Sequence, residues 1–289
     1  MIILASSMVI QNVTVIGTGA MGSGIAYVSA TSGMNVTLHD QEQKFLDKGM
    51  DRIRKMLMDG IDKKKMSPAE GEKVFHRFKA ELDFESAVKD ADLVIEAVFE
   101  DMDVKKSIFS NLSKYAKTDA ILASNTSTLS LTEISSVVEK KGRVIGTHFF
   151  NPPSSMKLVE IVKAENTSEE TLNLILEFVD KLNKVAVVAK DSPGFIVNRV
   201  LVPVLNEAVK LYDEGVASME DIDKALMLGA NFPVGPLKLA DFVGLDVALA
   251  SCRTLERELG EAYTPSPSLV RLVGEGKLGI KTGEGFYKY

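Results

Sequence analysis

Three histidines occur in the 289 residues, and only His148 stands where an imidazole is placed for proton transfer. It ends the apolar run Val144–Thr147, the pattern of a buried strand, and open α/β sheets bind their ligands at strand carboxyl ends. Twelve residues later comes Glu160, inside the apolar run Met156–Val162 (MKLVEIV). A carboxylate in that setting is costly unless it has a partner. An imidazole supplies one, and Glu160 would then fix its tautomer. The rigid, polar turn Asn151-Pro152-Pro153 lies between them. Such a pair can take the proton of a hydroxyl held within hydrogen-bond reach, the step an alcohol needs before it gives up hydride. The competing reading is a lone histidine satisfied at a strand end. His39 reads as the rim of a neighbouring pocket and His76 as surface on a charged helical face.

A second constellation supplies the hydride acceptor. Gly17-Thr18-Gly19-Ala20-Met21-Gly22 is G-x-G-x-x-G, a weak signal alone. Here it follows the strand-like Asn12–Gly17, opens a helix, and precedes Asp40 by 23 residues from Gly17, at the end of a second strand. That is the full dinucleotide fingerprint. Gly17 permits the tight turn, Gly19 the approach of backbone to pyrophosphate, and Gly22 the packing of helix on sheet. The N–H groups that open the helix, at Ala20 and Met21, and the positive end of its dipole suit the phosphates. Asp40 accepts from a ribose hydroxyl and repels a 2′-phosphate, so NAD is expected rather than NADP.

The elements that must position these groups alternate. Strand-like segments are Asn12–Gly17, Gly33–Asp40, Lys79–Leu82, Leu93–Val98, Ala120–Ser124, Val144–Phe150, Leu158–Val162 and Val185–Ala189. Helical patterns lie at Ala20–Ser32, Glu42–Asp59, Ser67–Phe78, Val104–Ala116, Leu131–Glu139 and Ser168–Leu182. Alternation of this kind predicts a doubly wound, mostly parallel Rossmann-type α/β sheet. After Asp191-Ser192-Pro193-Gly194 only helical periodicity continues, with Ser218-x-x-Asp221 as a capping-box signal. Two domains are expected: residues 1–190 as the NAD-binding Rossmann domain and residues 191–289 as a smaller all-α domain.

Composition narrows the classes. Apolar residues at 45% and charged residues at 26% are ordinary for a folded chain and argue against disorder. A net charge of −6 argues against a nucleic-acid partner, which would need a basic face. The single cysteine, Cys252, excludes an internal disulfide and reads as a packed thiol. No Cys/His cluster has zinc-site spacing, so no metal is expected. No segment reaches a membrane-spanning length of apolar residues, and Met1–Ser7 lacks a basic region and is too short for a signal sequence. Met8 is an alternative start, with residues 1–7 as an extension. The expected location is the cytoplasm, with no membrane partner.

The motifs now carry a resemblance. His148-Phe149-Phe150-Asn151-Pro152 with Leu158-Val159-Glu160 resembles the active-site segment of the 3-hydroxyacyl-CoA dehydrogenase family. Ser124-Asn125-Thr126-Ser127, Asp191-Ser192-Pro193-Gly194-Phe195-Ile196-Val197-Asn198-Arg199 and the tail Gly276–Tyr287 are similar to that family too. The matches span essentially the whole chain, without the hydratase partner domain of the multifunctional type. The resemblance implies His148 as catalytic base and Glu160 as its orienting carboxylate. It implies Ser127 and Asn198 as contacts to the reacting oxygen, Glu100 and Lys105 at the nicotinamide end, and Asn125 and Asn151 beside the base and cofactor. It further implies an acyl-CoA substrate of (S)-3-hydroxy configuration and a homodimer. Capping remains a competing role for Ser127 and Asn198, and a solvated loop for Glu100 and Lys105. Arg52 and Lys55, within the cation-rich Asp51–Lys65, are candidates for the CoA nucleotide, although a solvated face explains such charges as well. A dehydrogenase of a free hydroxy acid such as gulonate, and an idle NAD-binding protein, are the rival readings.

Overall fold

The computed structural model describes residues 9–289. The alternative start at Met8 and the extension before it lie outside the described residues. The chain divides into two compact units, Met1–Asp191 and Ser192–Tyr289.

The first unit opens with β1 (Asn12–Ile16), α1 (Ala20–Thr31) and β2 (Asn35–His39). Next come α2 (Gln43–Asp62), α3 (Pro68–Phe75), β3 (Phe78–Ala80), α4 (Phe84–Val88), β4 (Leu93–Glu96) and α5 (Met102–Tyr115). β5 (Ile121–Ser124), α6 (Leu131–Ser135), β6 (Val144–Phe149), β7 (Leu158–Lys163), α7 (Glu169–Lys181) and β8 (Val185–Lys190) complete it. The strands form one sheet in the order β3-β2-β1-β4-β5-β6-β7-β8. Every pair is parallel except β6 with β7. The strand order reverses between β1 and β4, which creates the crevice where such sheets bind ligands.

The central apolar strands β1, β4, β5, β6 and β7 are buried, whereas the edge strand β8 is largely exposed. Val15, Leu38, Ile95, Ile121, Ile145 and Ile161 share one core with helical Ile25, Ile53 and Phe178. Helix starts follow local chemistry. Ser67 and Glu70 form a reciprocal capping box at α3, with Pro68 at the first position. Asp101 caps α5 through the Val104 amide, and Ser168 caps α7 through that of Thr171.

Three element assignments are corrected. The helix expected over Ser67–Phe78 stops at Phe75, because the Val36 amide takes the Arg77 carbonyl into the sheet, starting β3. The helix expected over Leu131–Glu139 ends at Ser135, where Ser135 and Ser136 hydroxyls turn back onto the Thr132 and Glu133 carbonyls. α4 was not expected: capped by Asp83, it is too short to show periodicity.

The second unit is helical: α8 (Val197–Asp213), α9 (Met219–Gly229), α10 (Pro236–Val243), α11 (Leu245–Leu259) and α12 (Pro267–Gly274). Its core joins Leu205, Val209, Leu237, Leu245, Leu249, Leu255 and Phe286. Two buried carboxylates tie the C-terminal segment to it. Asp241 accepts the amides of Phe286 and Tyr287, and Asp223 accepts the Tyr287 hydroxyl. Among the described residues, no helix is long and apolar enough to cross a membrane.

Candidate active site

β1 delivers the chain to Gly17, whose φ of 91° suits only glycine. A Cβ there would stand 2.8 Å from the Ala97 carbonyl oxygen, and one on Gly22 1.8 Å from that of Gly17. Gly19 differs, since a Cβ would meet no protein atom within 4 Å. Its bare backbone therefore leaves room on the cleft side, as a phosphate cradle requires. α1 begins at Ala20 with no side-chain cap, so the amides of its first turn, at Ala20, Met21 and Gly22, are oriented to receive an anion.

The turn forms one wall of a cleft of about 680 Å³, lined also by Asp40, Arg52 and Phe99. Asp40 is locked at the end of β2. Its Oδ2 accepts from the Thr18 amide and hydroxyl, both at 2.8 Å, and its Oδ1 from the Gln41 amide at 2.9 Å. His39 lines the same cleft, donating from Nδ1 to the Glu81 carbonyl at 3.0 Å and lying edge-on to Phe84. A glycine cradle, an uncapped helix start and a fixed anion for a ribose diol fit a dinucleotide. Arg52 is drawn into this site, with Nη1 3.0 Å from the Thr18 carbonyl oxygen. It was expected beside Lys55 at the substrate's nucleotide. Both are exposed residues of α2, and Arg52 is the one whose side chain bonds to the glycine turn.

Farther along the sheet, β6 and β7 place His148 directly opposite Glu160. The two side chains meet: His148 Nδ1 is 2.7 Å from Glu160 Oε2. His148 is 6% exposed and Glu160 fully buried. With Nδ1 donating to the carboxylate, proton exchange falls to Nε2. The Phe150 ring lies against the imidazole, with centroids 4.5 Å apart. Asn125 ties the next loop to the same strand end, its Oδ1 accepting the Phe149 amide at 2.9 Å. Asn151 is exposed in the turn that follows, and its bond to Pro152 is cis. Pro153 packs against α1, where a Cβ on Gly24 would be 2.8 Å from Pro153 Cδ.

Glu100 and Lys105 are not a solvated loop. Lys105 is fully buried, with Nζ 2.7 Å from Glu96 and 3.4 Å from Glu100. Glu100 Oε1 accepts from the Thr126 hydroxyl at 2.6 Å and from the Ser127 and Thr128 amides at 2.8 and 3.0 Å. Burial pushes the Glu100 carboxyl up, but Lys105 and these donors outweigh it and hold the group below the ordinary glutamate range. Sequence reasoning passed over Glu96. It sits in Leu93–Val98 (LVIEAV), a carboxylate in an apolar run, the same signal that singled out Glu160.

Residues 12–192 match the model of the 3-hydroxyacyl-CoA dehydrogenase NAD binding domain, and residues 194–289 match that family's C-terminal domain. The chain belongs to the 3-hydroxyacyl-CoA dehydrogenase family. It is 45% identical over 280 residues to a 3-hydroxybutyryl-CoA dehydrogenase of Clostridioides difficile, an alignment covering 96% of this chain and 99% of that one. The human mitochondrial hydroxyacyl-coenzyme A dehydrogenase is 44% identical over 293 residues, covering 99% and 93%. The crystal structure of (S)-3-hydroxybutyryl-CoA dehydrogenase from Ralstonia eutropha superposes with a TM-score of 0.92 at 38% identity, covering 97% of this chain and 99% of that one. The expected family, the Rossmann-type sheet followed by helices, and the NAD cofactor are borne out, and the chain is an NAD-dependent oxidoreductase.

The remaining candidates are placed as follows. Ser127 lies in the loop gripped by Glu100, and the cap of the next helix is Ser130. Asn198 lies in the first turn of α8, whose cap position is Ile196. Burial pushes the Cys252 thiol up to about 11, as befits a packed side chain. Among the described residues, no His/Cys/Asp/Glu group could hold a metal ion.

Proposed function

We propose that this enzyme interconverts (S)-3-hydroxyacyl-CoA and 3-oxoacyl-CoA, with short chains such as 3-hydroxybutyryl-CoA and acetoacetyl-CoA as substrates. The observation that carries the reading is the buried His148–Glu160 pair, on a sheet whose crevice holds a dinucleotide fingerprint. His148 Nε2 takes the proton of the 3-hydroxyl, and Glu160 stabilises the imidazolium so formed without accepting its proton. The glycine turn and Asp40 would hold NAD, which would supply the acceptor for hydride from C3. In the reverse direction the imidazolium protonates the oxygen of the ketone. The proposed contacts to that oxygen are Ser127 and Asn198. Asn125 holds the end of β6 through the Phe149 amide, and Asn151 belongs to the turn that follows the base.

Lys55 is the proposed counter-charge for the CoA nucleotide, whereas Arg52 is proposed for the adenosine end of the cofactor. The reading extends to a homodimer in the cytoplasm. Exposed apolar side chains at Val200, Leu228, Phe242 and Val247 in the second unit support the dimer.

The test is loss of NADH absorbance with acetoacetyl-CoA, alongside gulonate oxidation and an NADPH control. Turnover of acetoacetyl-CoA with NADH preferred is expected. Faster turnover of gulonate would overturn the substrate class, and equal use of NADPH would overturn the role of Asp40.

A further inference from the structure

One charged residue has no part in this chemistry. Glu96 ends β4 and is fully buried, a position where a carboxylate is costly without strong compensation. Three donors compensate it. Oε1 accepts from Lys105 Nζ at 2.7 Å and from the Val98 amide at 2.8 Å, and Oε2 from the Ser124 hydroxyl at 2.6 Å.

The distances decide where the ammonium goes. Lys105 stands 2.7 Å from Glu96 and 3.4 Å from Glu100, so its single charge is shared by the two and lies nearer Glu96. Glu100 keeps a longer contact to the same ammonium and accepts in addition from neutral donors of residues 126–128. Hydrogen bonds from neutral groups disperse a charge and do not cancel it. The trio of two carboxylates and one ammonium therefore keeps one surplus negative charge.

Its place in the sheet gives that charge a use. Glu96 aligns with Ile16 of β1 on one side and Ser124 of β5 on the other, on the far side of the crevice from Asp40. In a doubly wound sheet the two halves of a dinucleotide lie on opposite sides of the switch point. Asp40 takes the adenosine half, which leaves the nicotinamide half to the ends of β4 and β5. The oxidised ring is a cation and the reduced ring is neutral.

We propose that Glu96 is a positioning residue that, by drawing Lys105 toward itself, leaves Glu100 only partly compensated, so that the surplus negative charge of the trio biases the site toward the oxidised cofactor. The proposal rests on the reading that this cleft takes NAD and needs no statement about the substrate.

The experiment compares dissociation constants of NAD, NADH and ADP-ribose for the unaltered chain and for Glu96→Gln, which keeps the acceptor and removes the charge. The ratio of NAD to NADH affinity is expected to fall roughly tenfold, the order one unit charge exerts across a partly screened site. ADP-ribose, which lacks only the nicotinamide ring, should bind as before. A ratio unchanged within twofold overturns the proposal. Equal weakening of all three ligands also overturns it, marking Glu96 as a residue of the fold alone. Should Glu96→Gln fail to fold, Glu100→Gln neutralises the same trio from its more exposed end and must shift the ratio in the same direction. Because these are binding measurements, inactivity toward acetoacetyl-CoA would defeat the proposed reaction without touching this inference, and a flat ratio would do the reverse.

Discussion

His148 and Glu160 make the sharpest test at the scale of single residues. Replacing His148 with Gln is expected to lower kcat by roughly 10²–10⁴, the usual worth of an acid–base group, while NADH binding survives because the glycine turn is elsewhere. Glu160→Gln should slow turnover as well, since the imidazolium loses its counter-charge and the ring its fixed tautomer. Steady-state rates and NADH titrations check both, and an unimpaired Glu160→Gln enzyme would refute the pair. Glu100 gives a pH prediction. Its folded-state carboxyl lies below the ordinary value of 4.5, so its contribution to stability is complete above 4.5 and is lost as pH falls through the lower folded value. The urea midpoint of Glu100→Gln should therefore trail the unaltered chain at neutral pH, with the gap closing on acidification. A gap independent of pH would mean that the carboxylate's charge does not hold the 126–128 loop.

At the scale of elements, the pleat and period of the chain were legible because each buried strand is a short apolar run and each helix carries an apolar stripe. The orientation of β7 was written less openly. Only eight residues, 150–157, join β6 to β7, too few for the crossover a parallel neighbour would require. That shortness makes a hairpin and sets His148 against Glu160. Lys105 was not legible as a buried cation, since its neighbours on α5 are charged and nothing local reveals that Glu96 waits beneath it. Arg52 and Lys55 could not be told apart for a similar reason: which side of α2 meets the glycine turn depends on packing. α1 adds a prediction. Gly24 touches Pro153 so closely that an added Cβ would lie 2.8 Å from Pro153 Cδ. Gly24→Ala should cost about 1–3 kcal/mol as overpacking and lower kcat more than NADH affinity, because the turn beyond His148 must shift. Thermal melts and titrations read the two effects separately, and unchanged kcat would show that the turn is not coupled to the base.

For the whole molecule, the second unit presents Val200, Leu228, Phe242 and Val247 to solvent, while Leu205, Val209 and Leu249 from the same helical stretches fill its own core. An apolar surface of that kind, self-complementary across a two-fold axis, is the ordinary basis of an isologous dimer. Sedimentation at micromolar concentration is expected to give twice the 31.4 kDa of the chain, and a stable monomer would count against the assembly. The β6–β7 hairpin has a different bearing on the molecule as a whole. The proposed base and its carboxylate are twelve residues apart and carried by one uninterrupted segment, so the proposed proton-handling unit is a cassette. A single splice that moved this piece into a related enzyme would bring the pairing of residues 148 and 160 with it. Whatever distinguishes two such enzymes in substrate or cofactor preference would then stay behind with the recipient.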